Sequence, residues 1–163
     1  MSLIDLTIEI QQKKWEKILA NEKMTALGHL GTHFNGMNIT FDLENSCKRT
    51  GIVLDVFNVS GQDIGDISST DIKTGNFVLF YTGFLDNRTE YGSKRHFMEH
   101  PQLSLSLIRY LLNKQISIIG IDAPVIRRGE EHTPTDKLCA DNKVFVVENN
   151  ANLKSLKIGR ASC

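Results

Sequence analysis

His29 and His33, in the segment Gly28-His-Leu-Gly-Thr-His-Phe-Asn35, stand four residues apart, and Asn35 follows at the same parity along the chain. Neutral imidazole nitrogens with an oxygen donor nearby form a metal-ligating set. In a flat strand, however, the two histidines would lie roughly 13 Å apart at about 3.3 Å per residue, too far to share an ion whose bonds are about 2 Å long. The spacing therefore needs a helical turn or a kink, and Gly28, Gly31 and Gly36 favour the kink because glycine accepts backbone angles closed to other residues. The stretch from Met24 to Phe41 also lacks any Asp, Glu, Lys or Arg, which suits a site whose positive charge arrives with an ion. Histidines at this spacing serve equally well as structural or surface residues, so the spacing alone leaves both readings open.

Other side chains gain interest from their placement. Asp122 follows the apolar run Ser117-Ile-Ile-Gly-Ile121, near the carboxyl end of an expected strand, where open α/β folds bind ligands. Capping the turn ahead of Pro124 is the alternative role. Glu148 ends another apolar strand in the same way, and His132 sits in a charged loop between them. His96 and His100 flank Phe97-Met-Glu as loop or helix-start residues, and Cys47, Cys139 and Cys163 show no CxxC spacing, with Cys139 a candidate for burial. Glycine-rich phosphate loops, a GxSxG elbow and basic clusters interleaved with aromatics are all absent.

The elements that must position these residues read as α/β. Leu3 to Ile10 alternates apolar and polar residues, as a half-buried strand does, and Gly51-Ile-Val-Leu-Asp-Val-Phe57 is β-branched and aromatic. Asn76 to Thr82, Ser117 to Ile121 and Lys143 to Glu148 are nearly continuous apolar runs, expected of strands covered on both faces. Helical spacing appears over Gln11 to Ala20 and more clearly over Pro101 to Asn113, with Pro101 at the start and Asn113 at the stop. One helix between two buried strands makes a β-α-β crossover. Ser60 to Thr70 and Arg127 to Asp141 are expected to be loops.

The 163 residues suit a single domain spanning 1–163. Nineteen basic and nineteen acidic side chains cancel, so no global field draws nucleic acid or an anionic membrane. An odd, sparse set of cysteines and the lack of an apolar leader point to a reducing cytoplasm.

Taken in order, these segments resemble the cyclase-like metal-dependent hydrolases, the family that includes bacterial kynurenine formamidase (arylformamidase). Ile4-Asp-Leu-Thr resembles its opening strand, His29-Leu-Gly-Thr-His-Phe-Asn35 its metal motif, and Gly75 through Gly83 a strand ending in Thr-Gly. His100-Pro-Gln-Leu-Ser, Gly120-Ile-Asp-Ala-Pro and Glu148-Asn-Asn-Ala-Asn-Leu153 resemble three later segments, so the likeness runs over roughly residues 3 to 153. It implies a central mixed β-sheet with flanking helices, in the swivelling β/β/α arrangement, and a divalent ion, zinc or else manganese. By position, His29 and His33 would be ligands, Asn35 stands where a ligating aspartate is expected, and His132 and Glu148 would complete a second metal position. Asp122 would contact substrate.

The activity implied is attack of metal-activated water on the carbonyl of a small amide, with tryptophan catabolism as the family-level setting. Family members commonly pair, which implies a homodimer or homotetramer. The chain departs from the family pattern where it bears on chemistry. Asn35 replaces a carboxylate, Ile39 is read at the catalytic histidine, and Val125 and Arg127 replace a serine and an aspartate. A catalytically impaired member that binds a ligand or serves assembly is the alternative. The end of the chain after Leu156 reads either as a shortened version of the family's last strand or as a cut within it.

Overall fold

The computed structural model describes residues 3–10, 12–20, 29–42, 48–57, 63–65, 67, 70–86, 91–156 and 159–162. Gly28, Cys47 and Cys163 lie outside them. Among the described residues, the main sheet has six strands in the order β1-β7-β6-β4-β2-β8. These are β1 (His33–Asn35), β2 (Thr50–Asp55), β4 (Phe77–Tyr81), β6 (Ile118–Ile121), β7 (Phe145–Glu148) and β8 (Gly159–Ser162). The four middle strands run parallel, whereas β1 is antiparallel to β7 and β8 to β2. A second, two-stranded sheet pairs β3 (Asp63–Ile64) with β5 (Gln102–Leu103).

The apolar runs of the sequence become the strands covered on both faces, since β6 is buried at every position and β4 at all but the first. On one face Ile52, Val78, Phe80, Ile119, Ile121 and Val146 pack against helix α3 (Leu105–Asn113) and against Cys139 of helix α4 (His132–Asp141). On the other, Val53, Leu79 and Tyr81 pack against Leu6 and Leu153. Gly120 leaves room for the Phe77 ring and Leu79, because a Cβ there would stand 2.7 and 2.8 Å from them. A third cluster joins Ile8, Ile18 of helix α1 (Gln12–Leu19), Leu85, Tyr91 and Ala151, with Leu30 packed against it.

The expected β-α-β crossover is present: α3 lies between β4 and β6, which pair in parallel. Its start is at Leu105, not Pro101. Gln102 and Leu103 pair with β3, Leu103 N–H donates to Ile126 O, and Ser104 caps the helix by accepting from Leu107 N–H at 3.1 Å. Leu3 to Ile10 keeps the alternating burial of a strand but joins no ladder. Its backbone is bound by neighbouring loops, with Leu6 O accepting from Ala151 N–H at 2.7 Å and Ile8 N–H donating to Thr32 Oγ1 at 2.9 Å.

Arg127 to Asp141 is not a loop: a 3₁₀ turn (Gly129–Glu131) leads directly into α4. That helix buries Thr135, Asp136, Cys139 and Ala140, a helically spaced face on which Thr135 and Asp136 are polar, so hydrophobic periodicity could not reveal it. Ser60 to Thr70, also expected to be a loop, contains β3.

Candidate metal centre

The chain bends sharply ahead of β1. Gly31 sits at φ +74°, in the left-handed region where glycine carries no Cβ penalty. Tyr91 Oη accepts from Gly31 N–H at 2.6 Å, and Gly31 O accepts from Asn149 Nδ2 at 3.1 Å. Thr32 Oγ1 donates to Asn149 O at 2.6 Å. These bonds pin the bend to the segment that follows β7, and they bring His29 beside His33, with His29 Nδ1 3.1 Å from His33 Nε2.

Register supplies the third group. In the antiparallel pairing His33 faces Glu148 across the β1–β7 ladder. Glu148 Oε2 lies 3.2 Å from His33 Nε2 and 3.6 Å from His29 Nδ1. The Gly31 carbonyl also accepts from His33 Nδ1 at 3.0 Å. A carbonyl cannot donate, so Nδ1 carries the proton, and in the neutral ring Nε2 turns a lone pair toward Glu148.

α4 supplies the rest. His132 opens that helix and Asp136 follows one turn later on the same face, with His132 Nε2 2.8 Å from Asp136 Oδ2. The His29 and His132 rings are 5.0 Å apart between centroids. Asn35 Nδ2 donates to Asp136 Oδ2 at 2.6 Å. A cavity of about 360 Å³ opens over these groups, walled by His29, His33, Asn35, His132, Thr133 and Asp136 and by the apolar side chains Phe34 and Met37. Glu148 is fully buried beneath it.

Electrostatics bind the cluster together. Burial pushes Glu148 toward its neutral form, but His29 and His33 outweigh it and hold the carboxyl below its ordinary value. Burial likewise opposes protonation of His33, yet Glu148 and the Gly31 carbonyl raise its pKa. Asp136 raises that of His132, and burial raises that of Asp136 itself.

The donor set fits a divalent ion. With bonds of about 2.0–2.2 Å, the edge of a tetrahedral site measures about 3.3–3.6 Å. The His29, His33 and Glu148 ligand atoms form a triangle with sides of 3.1, 3.2 and 3.6 Å. Among the described residues, neither Glu148 oxygen, nor Asp136 Oδ1, nor His132 Nε2 has a hydrogen-bond partner, although all are buried. Unsatisfied buried polar atoms are costly, and a cation satisfies several at once. Among the described residues, two groups bring their ligand atoms within 4.8 Å of one another: His29, His33 and Glu148, and His132, Asp136 and Glu148.

The remaining candidates lie elsewhere. Asp122 Oδ1 accepts from Thr82 N–H at 2.9 Å and Thr82 Oγ1 at 2.7 Å, and its Oδ2 accepts from Gly83 N–H at 2.8 Å, so the carboxylate fastens the end of β4. Burial raises its pKa to about 6 against those bonds. Asp122 does not line the cavity, and neither does Ile39, whose N–H donates to Gly36 O at 2.8 Å. Arg127 donates to Leu103 O and pairs with Glu131. His96 and His100 are fully buried in and just after helix α2 (Lys94–Met98), and Cys139 is a buried free thiol. Asp136 has no counterpart among the residues singled out from sequence. The signal was its i, i+4 spacing from His132, which carries meaning only once the segment is read as a helix.

Comparison with known proteins follows this geometry. The family model described as "Putative cyclase" matches residues 4–127. A solved structure of a predicted metal-dependent hydrolase from Bacillus stearothermophilus is 31% identical, with TM-score 0.63, over 81% of this chain and 65% of that one. A second, a potential metal-dependent hydrolase with cyclase activity, is also 31% identical with TM-score 0.63, over 81% of this chain and 67% of that one. An isatin hydrolase bound to the product analogue thioisatinate shares the fold at 20% identity and TM-score 0.64, over 79% of this chain and 62% of that one. The chain thus spans about two thirds of the length of these structures. No curated protein matches it in sequence. Because the matched span takes in most of the chain, including the His29–Asn35 bend and the strand leading to Asp122, the chain belongs to the cyclase family.

Proposed function

We propose that this chain holds a divalent ion at His29, His33 and Glu148, with His132 beside them, and that it hydrolyses a small amide in the manner of an arylformamidase. The observation that carries the reading is the His29–His33–Glu148 triangle, with sides of 3.1, 3.2 and 3.6 Å, around a carboxylate with no hydrogen-bond donor of its own. Bound there, a divalent ion would supply Lewis-acid polarisation of a carbonyl and would acidify water. Imidazole nitrogens with carboxylate oxygen suit zinc, and manganese is the second choice.

The protein's own groups set the rest. Glu148 offers fixed negative charge, the Gly31 carbonyl keeps the His33 proton on Nδ1, and Phe34 and Met37 give an apolar wall for the hydrocarbon part of a substrate. A cavity of about 360 Å³ falls at the small end of ligand sites, as a small amide requires. Isatin, named for proteins of the same fold, belongs with formamides in the panel of substrates to assay.

Calorimetric titration with zinc and manganese tests the centre. Wild type should take up the ion and His33→Ala should lose it, whereas unchanged affinity in the variant would remove the assignment. A ligand-binding role without turnover is the second reading. It is favoured by one observation: the groups in the cavity wall able to accept a proton are the three histidines and Asp136, which stand within the ligand cluster itself. Metal uptake with no hydrolysis of any formamide or cyclic amide would select it.

A further inference from the structure

Three neutral imidazoles and Glu148 give the centre a single negative charge, which leaves a divalent ion half compensated in a buried place. The second charge is close by. Asp136 is 3% exposed, and its Oδ1 has no hydrogen-bond partner. Its Oδ2 accepts from Asn35 Nδ2 at 2.6 Å and lies 2.8 Å from His132 Nε2.

That last contact separates two roles for Asp136. A carboxylate that merely orients a ligating histidine does so by accepting its ring N–H. Here the His132 ring is not lined up to donate to Asp136 Oδ2 despite the 2.8 Å separation, so the pair lacks the geometry of that orienting bond. Such a pair is arranged as two donors that face a common third point. With Glu148, their ligand atoms all fall within 4.8 Å of one another.

We propose that Asp136 is a ligand of the metal centre and its second negative charge, and that Asn35 is a positioning residue that holds Asp136 through its amide nitrogen. The proposal rests on the metal-centre reading above. It gives position 35 a purpose that suits an amide: a second carboxylate there would repel Asp136, whereas the amide donates to it. The charge is carried by α4, and the histidine segment can remain free of acids.

The test is calorimetric zinc titration of the full chain, with thermal melting of each apo variant as the control for folding. Asp136→Asn keeps the shape of the side chain and removes the charge, so the zinc Kd should rise by more than the roughly 10–100-fold that loss of a group merely orienting a ligand costs. A rise of roughly 100-fold or less, with His33→Ala still abolishing binding, would overturn the proposal and leave the metal-centre reading standing. A wild type that takes up no zinc would overturn both.

Cobalt-loaded protein adds a readout that a merely structural role would not move. Asp136→Glu retains the carboxylate on a longer arm and serves also if Asp136→Asn fails to fold. It should still bind cobalt, with displaced visible absorption bands, and an unchanged spectrum would count against ligation. Asn35→Ala should weaken zinc binding in the wild-type background and have no further effect beside Asp136→Asn, because its influence passes through that carboxylate. Additive losses would overturn the positioning role.

Discussion

At the scale of single residues, Glu148 sets the charge state of its neighbours. With the Gly31 carbonyl and Asp136, it lifts the His33 pKa above its ordinary value against burial, which acts to lower it. Glu148→Gln removes its share. The expected outcome is a His33 pKa that falls below 6.5 in the metal-free protein, read by NMR titration of the imidazole. A value unchanged from wild type would mean that the Gly31 carbonyl and Asp136 support the proton without it.

The same scale shows which residues could be read in advance. His29 and His33 stand out because their spacing makes sense only with a bend, and Gly31 marks the bend in the sequence. Asp122 also stands out, but position at a strand end cannot distinguish a ligand contact from a carboxylate already saturated by Thr82 and Gly83. Asp136 is hard to single out because its spacing from His132 has meaning only on a helix and its partner Asn35 lies 101 residues away along the chain.

At the scale of elements, α2 and the residues just after it carry His96 and His100, both buried without a partner for Nε2. Burial lowers their pKa values to about 3 and about 4, helped in His96 by His100 and in His100 by Arg128. Both are neutral in the folded protein, while the unfolded chain takes up protons below about pH 6.5, so each imidazole withdraws stability as pH falls from 6.5 toward its folded value. Asp122 acts oppositely, because its folded value of about 6 exceeds the unfolded 3.8 and acid favours the folded state over that interval. Two imidazoles against Asp122 alone would leave a net loss on the order of 1.4 kcal/mol per pH unit between pH 6 and 4, and the raised Asp136 reduces it. Urea unfolding at stepped pH should show that reduced slope, and His96→Gln should flatten it. A slope unchanged by His96→Gln would contradict neutral burial of that imidazole.

Elements were legible in proportion to how apolar they are. The runs that became β4, β6 and β7 announce themselves, and α3 shows its stripe of Leu107, Ile108, Leu111 and Leu112. α4 turns Thr135 and Asp136 inward, so the apolar pattern that would betray it is missing. The start of α3 moved because residues 102–103 found a strand partner remote in sequence, which no local propensity encodes.

At the scale of the whole molecule, the parallel strands succeed one another across the sheet in chain order, from β2 through β4 and β6 to β7, so no reversal of order opens a crevice among them. The candidate site lies instead where the antiparallel β1 meets the carboxyl end of β7 and the start of α4. β1 converges there on α4 and β7, which follow each other in the chain, with Asn35 101 residues ahead of the Asp136 it binds, and topology alone decides that they meet. Such convergence cannot be read from sequence except through likeness to a known family. Among the described residues, no helix is long and apolar enough to cross a membrane.

The placement of β1 has one more consequence. It is three residues long, forms the last strand on its side of the sheet, and carries His33 opposite Glu148. A terminal strand so short is weakly held by backbone bonds alone, and an ion bridging it to β7 and α4 would act as a clasp on the sheet's margin. At about 100-fold excess over Kd such an ion adds about 2.7 kcal/mol to folding. Stripping it with a chelator should therefore do more than lower Tm: β1 would peel away, bare the β7 margin and let copies of the chain join through it. Light scattering that rises on chelation and falls when zinc is restored would reveal that clasp. Scattering indifferent to metal would mean that β1 is held by the packing of its Phe34 ring against Phe41 and Phe145.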